Sequence, residues 1–237
     1  MRRIRLIGIL VAILLSVPVL ILEFSWEESH LQRIQSSGKL RVITFNGPTT
    51  YYEGNQGPGG FEYELTSAFA KNLGVELDIS VADQFDMIMP AIQAAHVDMA
   101  AAGLSITEER EKQVVFSSSY QTIKQQVVYR SGGAKRPRKP ADLAGRDIMV
   151  TAGSSHVERL QNLKKKYPQL AWQESAAETP ENLLVRVWEE KLEFTIADSN
   201  IVSIVRQFYP DLQIAFPLPP DDKLAWMFNH SNDKSLL

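Results

Sequence analysis

The chain contains no cysteine among its 237 residues. That excludes a disulfide framework, a thiolate metal site, a cysteine nucleophile and a lipid-modified N-terminal cysteine. A cationic excess is also missing. The formal net charge is −3, which argues against nucleic acid as a partner, since phosphate neutralisation needs clustered positive charge. Histidine is sparse: His30, His96, His156 and His230 show no i, i+4 pairing and no H-E-x-x-H spacing, so no metal site is expected. There is no G-x-S-x-G and no phosphate-cradling glycine loop. Ser36–Lys39 and Ser231–Lys234 both fit S-x-x-K, but neither is joined by S-D-N or K-T-G. The carboxylates are dispersed, and nothing pairs two of them for glycosidic chemistry. Neither a catalytic residue nor a cofactor is expected in this chain.

Long apolar runs are confined to the start. Three arginines within Met1–Arg5 precede seventeen uncharged, mostly apolar residues, Leu6–Leu22, and Glu23, Glu27 and Glu28 follow. A basic flank, an apolar stretch and an acidic far side put the N-terminus in the cytoplasm and the rest across a membrane. Residues 1–27 are therefore expected to be a signal peptide or membrane anchor. No A-x-A cleavage pattern follows, so both forms stay open.

Beyond Lys39 short apolar runs alternate with helical periods. Leu40–Thr44 reads as a strand, and Phe61, Leu65, Phe69 and Leu73 as a helix closed by Gly74. Val75–Val81 is a strand, Phe85–Ile92 a helix and Val97–Ala101 a buried strand. This βαβα order implies parallel strands covered by helices. Gln121–Arg130 is a longer strand leading into a basic, Gly- and Pro-containing connection, Ser131–Pro140. A second series follows: strand Asp147–Thr151, a turn at Ala152–Ser155, and a helix opened by a Ser155/Glu158 capping box. Thr179 as N-cap and Pro180 at N1 open another helix. Phe194–Ala197 is a strand, and Asp198 or Ser199 caps the helix after it. Leu212–Leu218 and Leu224–Phe228 are expected as two further strands, with a helix beginning at Asn232.

The run Gly103-Leu104-Ser105-Ile106-Thr107-Glu108-Glu109-Arg110 carries the most information. With Phe61–Leu65, Val97-Asp98-Met99, Val115–Tyr120, Asp142–Gly145, Val150–Ser155 and Thr195–Ser199 it resembles the family-3 solute-binding proteins of amino-acid uptake. The resemblance spans about residues 38–232 in order. It implies an α/β, two-lobed periplasmic-binding-protein-like fold of type II, behind the N-terminal signal or anchor helix. Lobe 1 is expected over 38–128, lobe 2 over 129–214, and an incomplete return to lobe 1 over 215–237. Gln125–Arg130, Arg136-Pro137-Arg138, Ala152–His156, Lys166–Trp172 and Lys191–Ser199 are more specific. They resemble the N-terminal module of the membrane-bound lytic murein transglycosylase F family, in which a lysozyme-like peptidoglycan-cleaving domain follows. No residue here inherits that catalytic role.

The resemblance assigns Arg110 to a ligand α-carboxylate, which a guanidinium fork matches with two parallel bonds. Ser105 and the backbone at Gly103 would add contacts, and Asp198 would hold a ligand ammonium. Ser154 and Ser155 sit where a helix N-terminus favours an anion. Tyr51 or Tyr52, of which Tyr52 is preferred, and Phe85 would sandwich the ligand's apolar part. Without the family, Arg110 reads equally as an ion-pair partner of Glu108, Glu109 or Glu111, Asp198 as an N-cap, and the tyrosines as packing. The implied partners are a small-molecule ligand (amino acid, peptide or muropeptide-like) and a membrane, through the N-terminal segment or peripherally. The implied place is the periplasm, peripheral to the outer membrane. An alternative is the amino-acid-binding protein of an ABC importer.

Overall fold

In the computed structural model, which describes residues 28–231 and 233–237, the first strand shows why this sequence folds as it does. Strand β1 (Lys39–Thr44) buries Leu40 and Val42 on one face of a sheet, and Ile43 and the following Phe45 on the other. Apolar residues on both faces call for covering layers on both sides. One layer is α1 (His30–Ser37) with α2 (Phe61–Leu73); the other is α3 (Ile88–Gln93). Helix α1 is absent from the sequence reading. It starts at a capping box, Ser29 with Gln32, and stops at Gly38 in the left-handed region.

The first sheet runs β4-β1-β5-β12-β6, with β4 at Glu76–Val81, β5 at Met99–Ala100, β6 at Val114–Phe116 and β12 at Met227–Asn229. β4 and β5 are parallel to β1, while β12 is antiparallel to both its neighbours. The second sheet runs β11-β7-β10-β8-β9: β7 is Gln121–Arg130, β8 Ile148–Thr151, β9 Gln173–Ser175, β10 Phe194–Asp198 and β11 Leu212–Leu224. Its parallel strands β10, β8 and β9 carry the helices α5 (Ser155–Lys166), α6 (Pro180–Trp188) and α7 (Ser199–Phe208). Every residue of β10 is buried, as befits a strand covered on both faces. A hairpin, β2 (Tyr52–Gly54) with β3 (Gly57–Gly59), and the short helix α4 (Glu108–Glu111) complete the described elements.

Four expectations need correction. Residues 128 and 215 lie in the paired region of β7 and β11, which are hydrogen-bonded as one ribbon from Leu212↔Arg130 to Leu224↔Gln121. The chain instead passes between the sheets at 117–120 and 225–226, where Ser117 N–H donates to Trp226 O and Tyr120 N–H to Leu224 O. The two strands expected over 212–228 are one long strand with register shifts at Ile214/Phe216 and Leu218/Asp222, followed by β12. The Ser155/Glu158 capping box does not form: Ser154 is the N-cap, and neither serine caps with its side chain. No helix follows residue 231 among the described residues. Residues 233–237 form a turn against α1, where the carboxylate of Asp233 accepts from His30 N–H and Ser235 Oγ accepts from Leu31 N–H.

The first lobe is held at its edge by Asp98, 4% exposed. Its carboxylate accepts from Arg41 Nη2 (2.7 Å), Arg41 Nε (3.1 Å) and the Arg41 backbone N–H (2.9 Å), and lies 3.2 Å from His30 Nε2. Burial opposes ionisation, but the bonds from His30 and Arg41 outweigh it and hold the carboxyl well below its usual range. The stability it contributes is therefore present above the ordinary carboxylate pKa and is lost as pH falls below it. Asp98→Asn should lower unfolding free energy by about 2–4 kcal/mol at pH 7 and remove part of the acid sensitivity. Urea titrations at pH 7 and pH 3 measure both effects; an unchanged midpoint at pH 7 contradicts the assignment.

Candidate functional site

The passage between the sheets brings the end of β5, the start of α5 and the start of α7 to one cleft. Its narrow cavity is lined by Phe85, Gly103, Arg110, Ser154, Ser155 and Asp198, six of the eight residues singled out from the sequence. Ser105 does not line the cavity, but its hydroxyl lies 3.3 Å from that of Ser155 across the cleft. Tyr52 is not there. It is 44% exposed on the β2–β3 hairpin, with its ring against Gly59. Tyr51 is buried, directs its hydroxyl to Glu53 and packs edge-on to Tyr63.

Arg110 is 6% exposed, which rules out the surface ion pair with its acidic neighbours. Thr107 caps the short helix α4 by accepting from Arg110 N–H, and so fixes where the side chain leaves the backbone. Arg110 Nη1 donates to Ser105 O at 3.0 Å, and Nη2 reaches across the cleft to Gly153 O at 3.1 Å. Nε stands 3.8 Å from Glu158 Oε1, and the guanidinium lies 5.9 Å from the centre of the Phe85 ring. Burial lowers the guanidinium pKa, and the charges of Glu158, Asp198 and Asp222 oppose that. Glu158 thus serves the cation and not a helix cap.

Asp198 occupies the N-cap position of α7, yet makes no capping bond with its side chain. Its carboxylate lies 2.9 Å from His156 Nε2, both residues being buried. Ser155 Oγ accepts from Gln125 Nε2, which also donates to Asp222. Ser154 Oγ donates to Thr151 O. Gly153 has φ 71°, and a Cβ there would stand 2.8 Å from the Cβ of Asp86 on the opposite lobe. The close approach of the lobes and the positive φ both demand glycine at this position.

Two ionisable cavity residues escaped the sequence reading, His156 and Glu181. His156 directly follows the Ser154–Ser155 turn, which is the signal that would have placed it. Glu181 stands beside Thr179-Pro180, where the helix-start pattern fully accounts for the local sequence. Behind the cavity wall, Glu62 on α2 is 2% exposed. It accepts from Gly103 N–H (2.6 Å) and from the hydroxyl of Tyr120, in the passage between the sheets. Burial pushes its carboxyl up to about 7, against the pull of those two donors.

The family's sequence profile, described as bacterial extracellular solute-binding proteins, family 3, matches residues 40–231. The chain belongs to that family. Membership places it in the cell envelope, outside the cytoplasm. Among curated relatives, the membrane-bound lytic murein transglycosylase F of Saccharophagus degradans is 42% identical over 206 residues, covering 87% of this chain and 41% of that protein. Membrane-bound lytic murein transglycosylase F 1 of Alkalilimnicola ehrlichii is 40% identical over 220 residues, covering 90% and 44%. The chain thus spans less than half the length of these relatives and corresponds to a solute-binding module. Among solved structures, an ancestral arginine-binding protein bound to arginine aligns with TM-score 0.74 at 26% identity, covering 84% of this chain and 88% of that one. The substrate-binding protein AbpA of an amino acid ABC transporter from Streptococcus pneumoniae, bound to L-arginine, aligns with TM-score 0.72 at 26% identity, covering 84% and 85%. The type II amino-acid-binding fold is therefore established. No helix among the described residues is long and apolar enough to cross a membrane, and the apolar segment Leu6–Leu22 lies outside them.

Glu62 supplies a pH test. Between its ordinary pKa of 4.5 and about 7 the folded chain keeps a proton that the unfolded chain has released. The stability from this group therefore falls as pH rises through that window and is level above it. Glu62→Gln, whose amide can accept from Gly103 N–H and donate to the Tyr120 hydroxyl without a charge, should gain on the parent by on the order of 3 kcal/mol between pH 5 and pH 8. Denaturant melts at the two pH values compare them; a constant difference contradicts the perturbed carboxyl.

Proposed function

We propose that this chain is the ligand-sensing module of a lytic murein transglycosylase F-like protein, closing around an α-amino acid or a short peptide. The observation that carries the reading is that one cavity holds a buried arginine from one lobe and a buried carboxylate from the other. Arg110 is matched to the ligand carboxylate, with Ser105, Gly103 and the α5 N-terminus at Ser154–Ser155 adding donors. Asp198, positioned by His156, is matched to the ligand ammonium. Phe85 offers an apolar wall, and Tyr52 is withdrawn from the set.

The cavity volume is about 40 Å³, enough for a few waters and less than an amino acid needs. Binding therefore requires the lobes to part and reclose, with 117–120 and 225–226 absorbing the motion. The relatives are named for murein transglycosylation, and a free amino acid or a muropeptide fits a module that reports cell-wall turnover to a murein-cleaving partner domain. Residues 1–27 would then export or anchor it, with peripheral association at the outer membrane. The second reading, a subunit of an amino-acid importer, draws support from the pneumococcal neighbour, which is one.

Calorimetric titration of amino acids and muropeptides tests the reading directly. Arg110→Ala should weaken any binding by about 100-fold or more, and Arg110→Lys by at least about tenfold, since a lysine cannot make the fork. Absence of binding to the parent chain, or binding by Arg110→Ala at parental affinity, would sink the proposal.

A further inference from the structure

The cavity contains one more charge than a zwitterionic ligand uses. Its ionisable lining residues are Arg110, His156, Asp198 and Glu181. A simple α-amino acid would pair its carboxylate with Arg110 and its ammonium with Asp198. Glu181 would then remain without a counter-charge. Burial and the repelling charge of Asp198 raise its pKa, against hydrogen bonds from its own N–H and the Thr179 hydroxyl, which lower it less. The carboxylate is pressed against the opposite lobe, where a Cβ on Gly47 would stand 3.1 Å from Glu181 Oε1. Closing the cleft on such a carboxylate without a cationic partner costs stability in the closed state.

A second polar group in the same cavity lacks a partner. His156 is 3% exposed, uses Nε2 for Asp198, and leaves Nδ1 buried with no hydrogen bond. With Nε2–H donating to Asp198, Nδ1 asks for a donor, and Glu181, hydrogen-bonded only by neutral groups, asks for a cation. We propose that Glu181 is a specificity-determining carboxylate that selects ligands with a second cationic group, such as a dibasic amino acid or a peptide bearing one. This rests on the amino-acid reading above and goes beyond it by naming the ligand class. Arg110 and Asp198 recognise the α-amino acid, and Glu181 discriminates by side chain. A neutral or acidic side chain would close the cleft over an unpaired or repelled carboxylate.

The test is calorimetric titration of the full chain with L-lysine, L-ornithine and L-arginine against L-leucine, L-glutamine and L-glutamate. Dibasic ligands should bind at least about tenfold more tightly than leucine. Glu181→Gln should reduce that preference to less than about threefold, by weakening lysine and tightening leucine, and Glu181→Asp, which keeps the charge, should retain most of it. Circular dichroism melts confirm that each variant is folded. Leucine or glutamate binding as tightly as lysine would overturn this inference and leave the amino-acid reading standing. Equal weakening of lysine and leucine by Glu181→Gln would assign Glu181 a structural role and overturn it too. No binding by any of the six would overturn both.

Discussion

Arg110 is a charge taken out of water at the meeting of two sheets, and much of the cleft is arranged around that cost. A buried guanidinium needs acceptors on all sides. It finds one in its own lobe, Ser105 O, and one across the cleft, Gly153 O, with Glu158 supplying the nearest counter-charge. Because one acceptor is a backbone carbonyl of the second lobe, the lobes must come close there. That approach in turn requires a glycine at 153, since any Cβ would meet Asp86. The serine turn, the glycine and the arginine are consequences of a single desolvation problem.

The same constraint gives the closed cleft its chemistry. An arginine satisfied only by backbone carbonyls and one carboxylate at 3.8 Å is incompletely neutralised. A ligand carboxylate would offer a better partner than either carbonyl. On the proposed reading, closure over a ligand would exchange weak acceptors for a strong one, and that difference would let the ligand shift an equilibrium between open and closed lobes.

The layered α/β architecture was legible because β1, β4 and β10 carry apolar residues at strand spacing and α2 carries Phe61, Phe69 and Leu73 at helical spacing. Those are local signals with one structural solution. The misreadings share a different cause, tertiary competition for a side chain. Glu158 has the right spacing for a capping box but is drawn to Arg110. Tyr52 sits beside the right loop, but the hairpin turns it to solvent. The sheet boundary was misplaced because the pairing of β7 with β11 continues through 128 and past the bulge at 215, and only hydrogen-bond register shows where the ribbon ends. Glu181 was invisible for the opposite reason: Thr179 and Pro180 explain a helix start so completely that no residue was left to ask about.

Glu62 links these levels. It fastens the backbone of Gly103, in the cavity wall, to Tyr120, in the segment where the chain passes between the sheets. One carboxyl therefore touches both the surface a ligand would meet and the joint that would move. Ionising it strengthens both acceptor bonds but places a charge without a cationic partner in a buried site. A purely apolar contact between α2 and the passage segment would link the same two places without any dependence on a proton.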